Sequence, residues 1–138
     1  MRILNKRASF NYQIVEKFEA GIVLTGSEAK AVKMKGADIN HAFVRIKDGE
    51  GFLINANITS EVDSTRERKL LLRKEEIVSL DSKSKAKKLT LVPTKMYNRG
   101  SLIKVEIALA KPKREFEKRE VLKKRDVARE VERELKER

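Results

Sequence analysis

The chain has 138 residues, one domain's worth, of which 39% are charged and 40% apolar, enough for one modest core. Lys and Arg number 33 against 21 Asp and Glu, and the resulting formal charge of +12 points to a polyanionic partner. Cys is absent, which removes disulfide scaffolds, thiolate metal sites and cysteine nucleophiles, and no run of about 20 apolar residues exists to span a membrane.

The start, Met1-Arg2-Ile3-Leu4-Asn5-Lys6-Arg7, turns polar within its first residues and lacks the form of a secretory signal, so a cytoplasmic location is expected. Tyr12, Ile14, Phe18, Ala20, Ile22 and Leu24 then share one parity, interrupted by Glu16, while Gln13, Lys17 and Glu19 lie on the other; this is a strand with one apolar face. Thr25-Gly26-Ser27-Glu28 has the Thr-x-x-Glu form of a capping box, and Ala29 to Lys35 reads as a short helix stopped at Gly36. Ala42 to Lys47 and Gly51 to Ile58 flank Asp48-Gly49, a tight-turn signal for a hairpin.

Arg68 to Arg73 leads into a second helix. Glu75 and Glu76 lie in its first turn, Lys83 and Lys85 lie near its end, and Ile77 and Leu80 face inward. Leu89 to Tyr97 and Leu102 to Ala110 read as two further strands around Asn98-Arg99-Gly100. In the second of these Ile103, Val105, Ile107 and Leu109 alternate with a largely polar face. Five or six strands with two short helices suit a mainly β fold, an OB-like antiparallel barrel over residues 1–110, closed or partly open.

Residues 111–138 form a second part. They carry 12 basic and 8 acidic side chains and few apolar ones. Val121, Ala128 and Leu135 repeat every seven residues with Val131 nearby, a stripe too narrow to fold the segment alone. A basic tail, disordered when free and helical when bound, is expected, with Pro112 marking its border.

Catalysis finds little support. His41 is the single histidine, no Ser sits in a nucleophile elbow, and neither calcium-loop spacing nor a phosphate loop is present. No catalytic residue, metal site or cofactor is expected. Basic clusters at Asn5-Lys6-Arg7, Arg66 to Arg73, Lys83 to Lys88 and Lys111 to Arg119 suit phosphate contact, whereas only 5% of residues are aromatic, too few for a base-stacking platform. Recognition of a structured RNA by backbone and shape fits better. Glu19, a lone acid on a polar face, is either an ion partner of Lys17 or an acceptor for base-edge or 2′-hydroxyl donors. A structural ribosomal protein and a nuclease remain as alternatives.

Asn5-Lys6-Arg7-Ala8, Glu19 through Lys30, Arg68 through Leu72, Leu89 through Tyr97 and Lys104 through Lys111 stand in an order that resembles the SsrA-binding protein family, also called small protein B. The stretch from Glu117 to Asp126 is similar to that family's tail, so the resemblance covers nearly the whole chain. It implies an OB-like barrel that binds the tRNA-like domain of transfer-messenger RNA and brings it, with elongation factor Tu, to ribosomes stalled on truncated messages. There the body stands in for the missing anticodon arm at the decoding site. The tail enters the vacant message channel as a helix.

Carried over residue by residue, the resemblance implies RNA contact by Asn5, Lys6, Arg7, Glu19, Leu71 and Arg73. It implies ribosome engagement by Lys113, Arg114, Phe116, Glu117, Lys118 and Arg119. Departures are Arg73 in place of the usual Asn or His, Pro112 for Gly, Phe116 for His or Tyr, and Glu117 for Asp. Arg73 keeps donors and adds charge but loses an acceptor.

Overall fold

The computed structural model describes residues 1–60, 63–114, 117–120, 122–127 and 129. Among them the chain runs β1 (Arg2–Leu4), α1 (Ala8–Asn11), β2 (Tyr12–Ile22), α2 (Gly26–Lys35), β3 (Phe43–Lys47), β4 (Glu50–Ile54), β5 (Arg68–Leu71), α3 (Lys74–Lys87), β6 (Thr90–Arg99) and β7 (Leu102–Pro112). The strands form one sheet in the order β1-β6-β7-β2-β5-β4-β3, every pairing antiparallel. The sheet curls until β3 lies against β6, but among the described residues no ladder joins its two edges. The fold is therefore an OB-like barrel of the expected mainly β class, left open. Among the described residues no helix is long and apolar enough to cross a membrane.

Local chemistry explains most of these elements. Thr25 Oγ1 accepts from Glu28 N at 3.2 Å and Glu28 Oε1 accepts from Thr25 N at 3.0 Å, so the capping box starts α2 at Gly26. Gly36 ends α2 at φ +84°, ψ −165°, backbone that a side chain would resist. Asp48 and Gly49 both take positive φ between Lys47 and Glu50, which is the two-residue hairpin turn whose twist matches its strands. The register of β2 slips between Ile14 and Glu16, so Glu16 keeps the inward parity without entering the core and Lys83 holds it at 2.8 Å.

The core fills the inside of the curl. Val105, Ile107 and Leu109 of β7 meet Leu53, Leu70, Val32 of α2 and Leu80 of α3, all buried. The outer face of β7 is also covered at one end, where Val92, Ala108 and Ala110 pack under Tyr12 and Ile14. Asn5 makes that cover possible. Its amide donates to Pro93 O at 2.7 Å and its Oδ1 accepts from Arg7 N and Ala8 N, both at 3.1 Å, which turns the chain from β1 into α1. Pro93 fits inside β6 because the register shifts between Pro93 and Lys95 and β1 pairs only with Lys95 to Tyr97.

The strand β7 runs past the expected border. Lys111 and Pro112 pair with Gln13 and Tyr12, a place where a missing N–H is harmless because the ladder ends there. Lys113 N then donates to Asn11 O at 2.9 Å. Residues 117–120 and 122–127 are helical. Lys118 Nζ and Arg125 Cζ stand 6.0 and 5.9 Å from the Phe10 ring centroid. Phe116 and the apolar stripe of Val121, Ala128, Val131 and Leu135 lie outside the described residues.

Candidate nucleic-acid interface

The pairing of β2 with β5 places Gly21 opposite Leu71, and an added Cβ at Gly21 would stand 3.3 Å from Leu71 Cβ and Cδ1. Glycine there lets the leucine lie across the strand, 56% exposed, at the floor of a groove. Glu19, Arg73, Glu76 and Lys104 line the same groove, whose volume is 590 Å³. Three residues that only a resemblance linked in the sequence, Glu19, Leu71 and Arg73, are thus brought to one surface.

The acid in this groove is held in place. Glu19 Oε1 accepts from Arg99 Nη1 at 3.1 Å and Oε2 accepts from the Tyr97 hydroxyl. Lys17, the ion partner in one of the two readings of Glu19, is instead 3.4 Å from Glu106, which also holds Lys95 and the Thr94 hydroxyl. Burial alone would raise the Glu106 carboxyl, but Thr94, Lys95 and Lys17 hold it below the usual range. Desolvation, then the hydrogen bond and charge of Glu19, push the Tyr97 phenol up to about 12. In a Tyr12→Phe background the remaining phenol should therefore ionise near 12 in an ultraviolet pH titration. Adding Glu19→Gln should bring it down toward 10.

Two cations face the groove without partners of their own. The Arg73 guanidinium and the Lys104 ammonium have no hydrogen bond or ion pair among the described residues. Arg73 is kept at the rim by the start of α3, where Glu76 Oε1 accepts from Arg73 N at 3.0 Å. A fixed carboxylate with spare lone pairs, an exposed leucine and two unpaired cations are chemistry for 2′-hydroxyls, base edges and phosphates. Tyr97, Arg99 and Lys104 were not singled out from the sequence. Their signal was the polar parity of the last two strands, which topology alone brings to Glu19's groove, Tyr97 and Arg99 in contact with it and Lys104 on the same lining.

Asn5, Lys6 and Arg7 do not join this groove. Asn5 is 8% exposed and its amide is spent on backbone, so it aims its neighbours rather than reaching outward. Arg7 Nη1 lies 2.8 Å from His41 Nδ1, beside α1. Tyr12 at that end and Glu19 at the other are seven residues apart on β2, roughly 23 Å of strand. Lys113 and Lys118 lie at the α1 end, Lys113 Nζ donating to Ser9 O at 2.7 Å. Arg114, Glu117 and Arg119 make no side-chain hydrogen bond or ion pair there among the described residues. Phe116 lies outside the described residues. Among those residues no group of three or more His, Asp or Glu is placed to hold a metal.

An open, strongly basic antiparallel barrel with a charged groove at one end and a basic tail at the other defines a small polyanion-binding β-barrel protein. Residues 2–137 match the SmpB protein family, and the chain belongs to it. The SsrA-binding protein of Sulfurihydrogenibium sp. (strain YO3AOP1) is 48% identical over 139 residues, 96% of this chain and 91% of that protein. The SsrA-binding proteins of Persephonella marina and Thermosipho africanus are 46% and 47% identical, each over 92% of this chain and 88% and 91% of their own lengths. Among solved structures, a chain of "tmRNA-SmpB: a journey to the center of the bacterial ribosome" superposes with a TM-score of 0.70 at 40% identity, covering 83% of this chain and 85% of that one.

Proposed function

We propose that this protein is an RNA-binding adaptor, not an enzyme, that holds the tRNA-like domain of transfer-messenger RNA and delivers it to stalled ribosomes for trans-translation in the cytoplasm. Residues 1–110 form the RNA-holding body and residues 111–138 the ribosome-engaging tail, with elongation factor Tu a companion in the delivery complex. The observation that carries this reading is the convergence of Glu19, Leu71 and Arg73 on one groove in a chain of the SmpB family. A folded RNA offers a ridge of phosphates beside 2′-hydroxyls. Arg73 and Lys104 take the phosphates, Glu19 accepts from the hydroxyls, and Leu71 covers the sugar or base face between them. Arg73, where the family pattern has Asn or His, trades an acceptor for charge and so leans on phosphate.

Binding of the purified protein to the tRNA-like domain, an ordinary tRNA and a random RNA of equal length tests this directly. The tRNA-like domain should bind most tightly at physiological salt; equal affinity for all three would overturn the reading. Leu71→Ala should weaken that binding by about 1–2 kcal/mol, the loss of roughly two methylenes' worth of apolar contact. Its melting temperature should stay that of the wild type, since Leu71 is 56% exposed and outside the core. Loss of stability before loss of affinity would place Leu71 in a packing role.

A further inference from the structure

A cleft of 360 Å³ opens at the far end of β2 from the Glu19 groove, between α1, the turn before β3 and the start of β6. Its size suits one nucleotide and excludes a helix. Tyr12 and Phe43 supply aromatic surface to its walls, and Arg7, Asn11, His41 and Thr90 supply polar groups. Among the described residues the Asn11 amide, the Tyr12 hydroxyl and the Thr90 hydroxyl have no hydrogen-bond partner. Arg7 spends one nitrogen, Nη1, on the His41 ring, and among the described residues its Nε and Nη2 make no hydrogen bond. Donors and acceptors left unpaired around aromatic surface are what an unpaired base needs, with edges to match and a face to cover. Phosphate alone would need neither aromatic wall. The rim is cationic: Lys6 is exposed beside Arg7, and Lys113 is tied to Ser9 O and Asn11 O where the tail leaves the barrel.

We infer that this cleft is a pocket for a single unpaired nucleobase of an RNA, a site separate from the Glu19 groove. The inference rests on the RNA-binding reading above, but on no particular RNA. Either the tRNA-like domain or ribosomal RNA is able to present such a base, and the chemistry that recognises it is the same. Thr90 and Asn11 read the base edge, Tyr12 and Phe43 cover its faces, and Arg7 holds the adjoining phosphate.

The test uses the full chain and two pentanucleotide RNAs, one complete and one abasic at its centre. The wild type should bind the complete oligomer at least about fivefold more tightly, the lower end of what one base contact contributes. Asn11→Ala/Thr90→Ala should abolish that difference, and among the described residues neither side chain makes a hydrogen bond whose loss would unfold the protein. Tyr12→Phe, which keeps the ring, should reduce it partway. Equal binding of the abasic oligomer by the wild type, or a base preference that survives the double substitution, would overturn the inference and leave a phosphate contact only. Leu71→Ala separates the two readings: it should lower binding of the tRNA-like domain and spare the base preference. If it spared both, the functional reading would fail while the cleft stood. Photocrosslinking with 4-thiouridine in the tRNA-like domain and in small ribosomal subunits then identifies the source of the base. A crosslink to the cleft in either arm supports the site, and none in both arms overturns it.

Discussion

Glu28→Gln is expected to destabilise the fold by about 3–5 kcal/mol, the cost of removing one partner from a buried ion pair. Glu28 and Arg68 are both fully buried, with Arg68 Nε donating to Glu28 Oε2 at 2.6 Å. Arg66 donates to the other carboxylate oxygen, and Arg68 Nη1 and Nη2 reach Ala56 O at 2.8 Å and Ser64 O at 3.0 Å. One carboxylate therefore ties α2 to β5 and, through Arg68, to the long connection that follows β4. Without it a guanidinium is left inside the protein with only carbonyls to balance its charge. The melting temperature should fall by roughly 10–20 °C for a domain of this size. Glu28→Gln/Arg68→Met should be milder than the two single losses added together, since no fully buried charge is left unpaired and the partly exposed Arg66 can turn to water.

The same pair sets an acid limit. Burial alone would raise the Glu28 carboxyl, but the hydrogen bonds of Arg66, Thr25 N–H and Arg68 outweigh it and hold it at about 2 against an ordinary 4.5. A carboxyl depressed by folding stabilises fully above its unfolded value and stops doing so as pH falls through the folded one. About 3 kcal/mol should therefore disappear between pH 4.5 and 2. Urea unfolding of wild type and Glu28→Gln across that window should converge, because the variant lacks the Glu28 share of the loss while other carboxylates such as Glu106 act equally in both. Parallel curves would show that Glu28 contributes no proton linkage.

Local signals carried the elements that local chemistry builds. The Thr25–Glu28 box, the Asp48-Gly49 turn and the alternation of Ile103 to Leu109 each appear as written in the chain. What long-range packing decides was not legible. β1 has only Arg2 to Leu4, too short for a period, and exists because β6 offers an edge at Lys95 to Tyr97. The helix α1 is a single turn, folded by Asn5 rather than by its own sequence. Arg68 to Leu71 reads as a helix approach, yet Leu70 is buried opposite Ile22 and Gly51, so pairing on both sides made it a strand. The groove divides likewise: residue type named Glu19 and the family resemblance added Leu71 and Arg73, but Tyr97, Arg99 and Lys104 belong to it only once β6, β7 and β2 lie side by side.

Truncation after Arg114 should separate the two parts of the molecule and abolish rescue. A cut after Lys111 would be a poor test, since it removes the Tyr12–Pro112 pair and both Lys113 bonds to α1. Keeping Arg114 leaves those bonds intact. Among the described residues the ring contacts the body then loses are those of Lys118 and Arg125 with Phe10, cation–π contacts of about 0.5–1 kcal/mol each, so its melting temperature should fall by no more than about 8 °C. The charge barely moves. Residues 115–138 carry nine basic and eight acidic side chains, and the truncated body keeps a net charge of +11. Counterion release, which scales with phosphates neutralised, therefore continues to hold the tRNA-like domain with nearly the same salt slope. Tagging of a nascent chain on a truncated message, in a reconstituted translation system, should nevertheless drop to background, because the segment proposed to occupy the empty message channel is gone. Rescue at the full rate by the truncated protein would deny the tail its role. Loss of RNA affinity in step with rescue would instead make the tail part of the RNA site, and the division at residue 111 would fail.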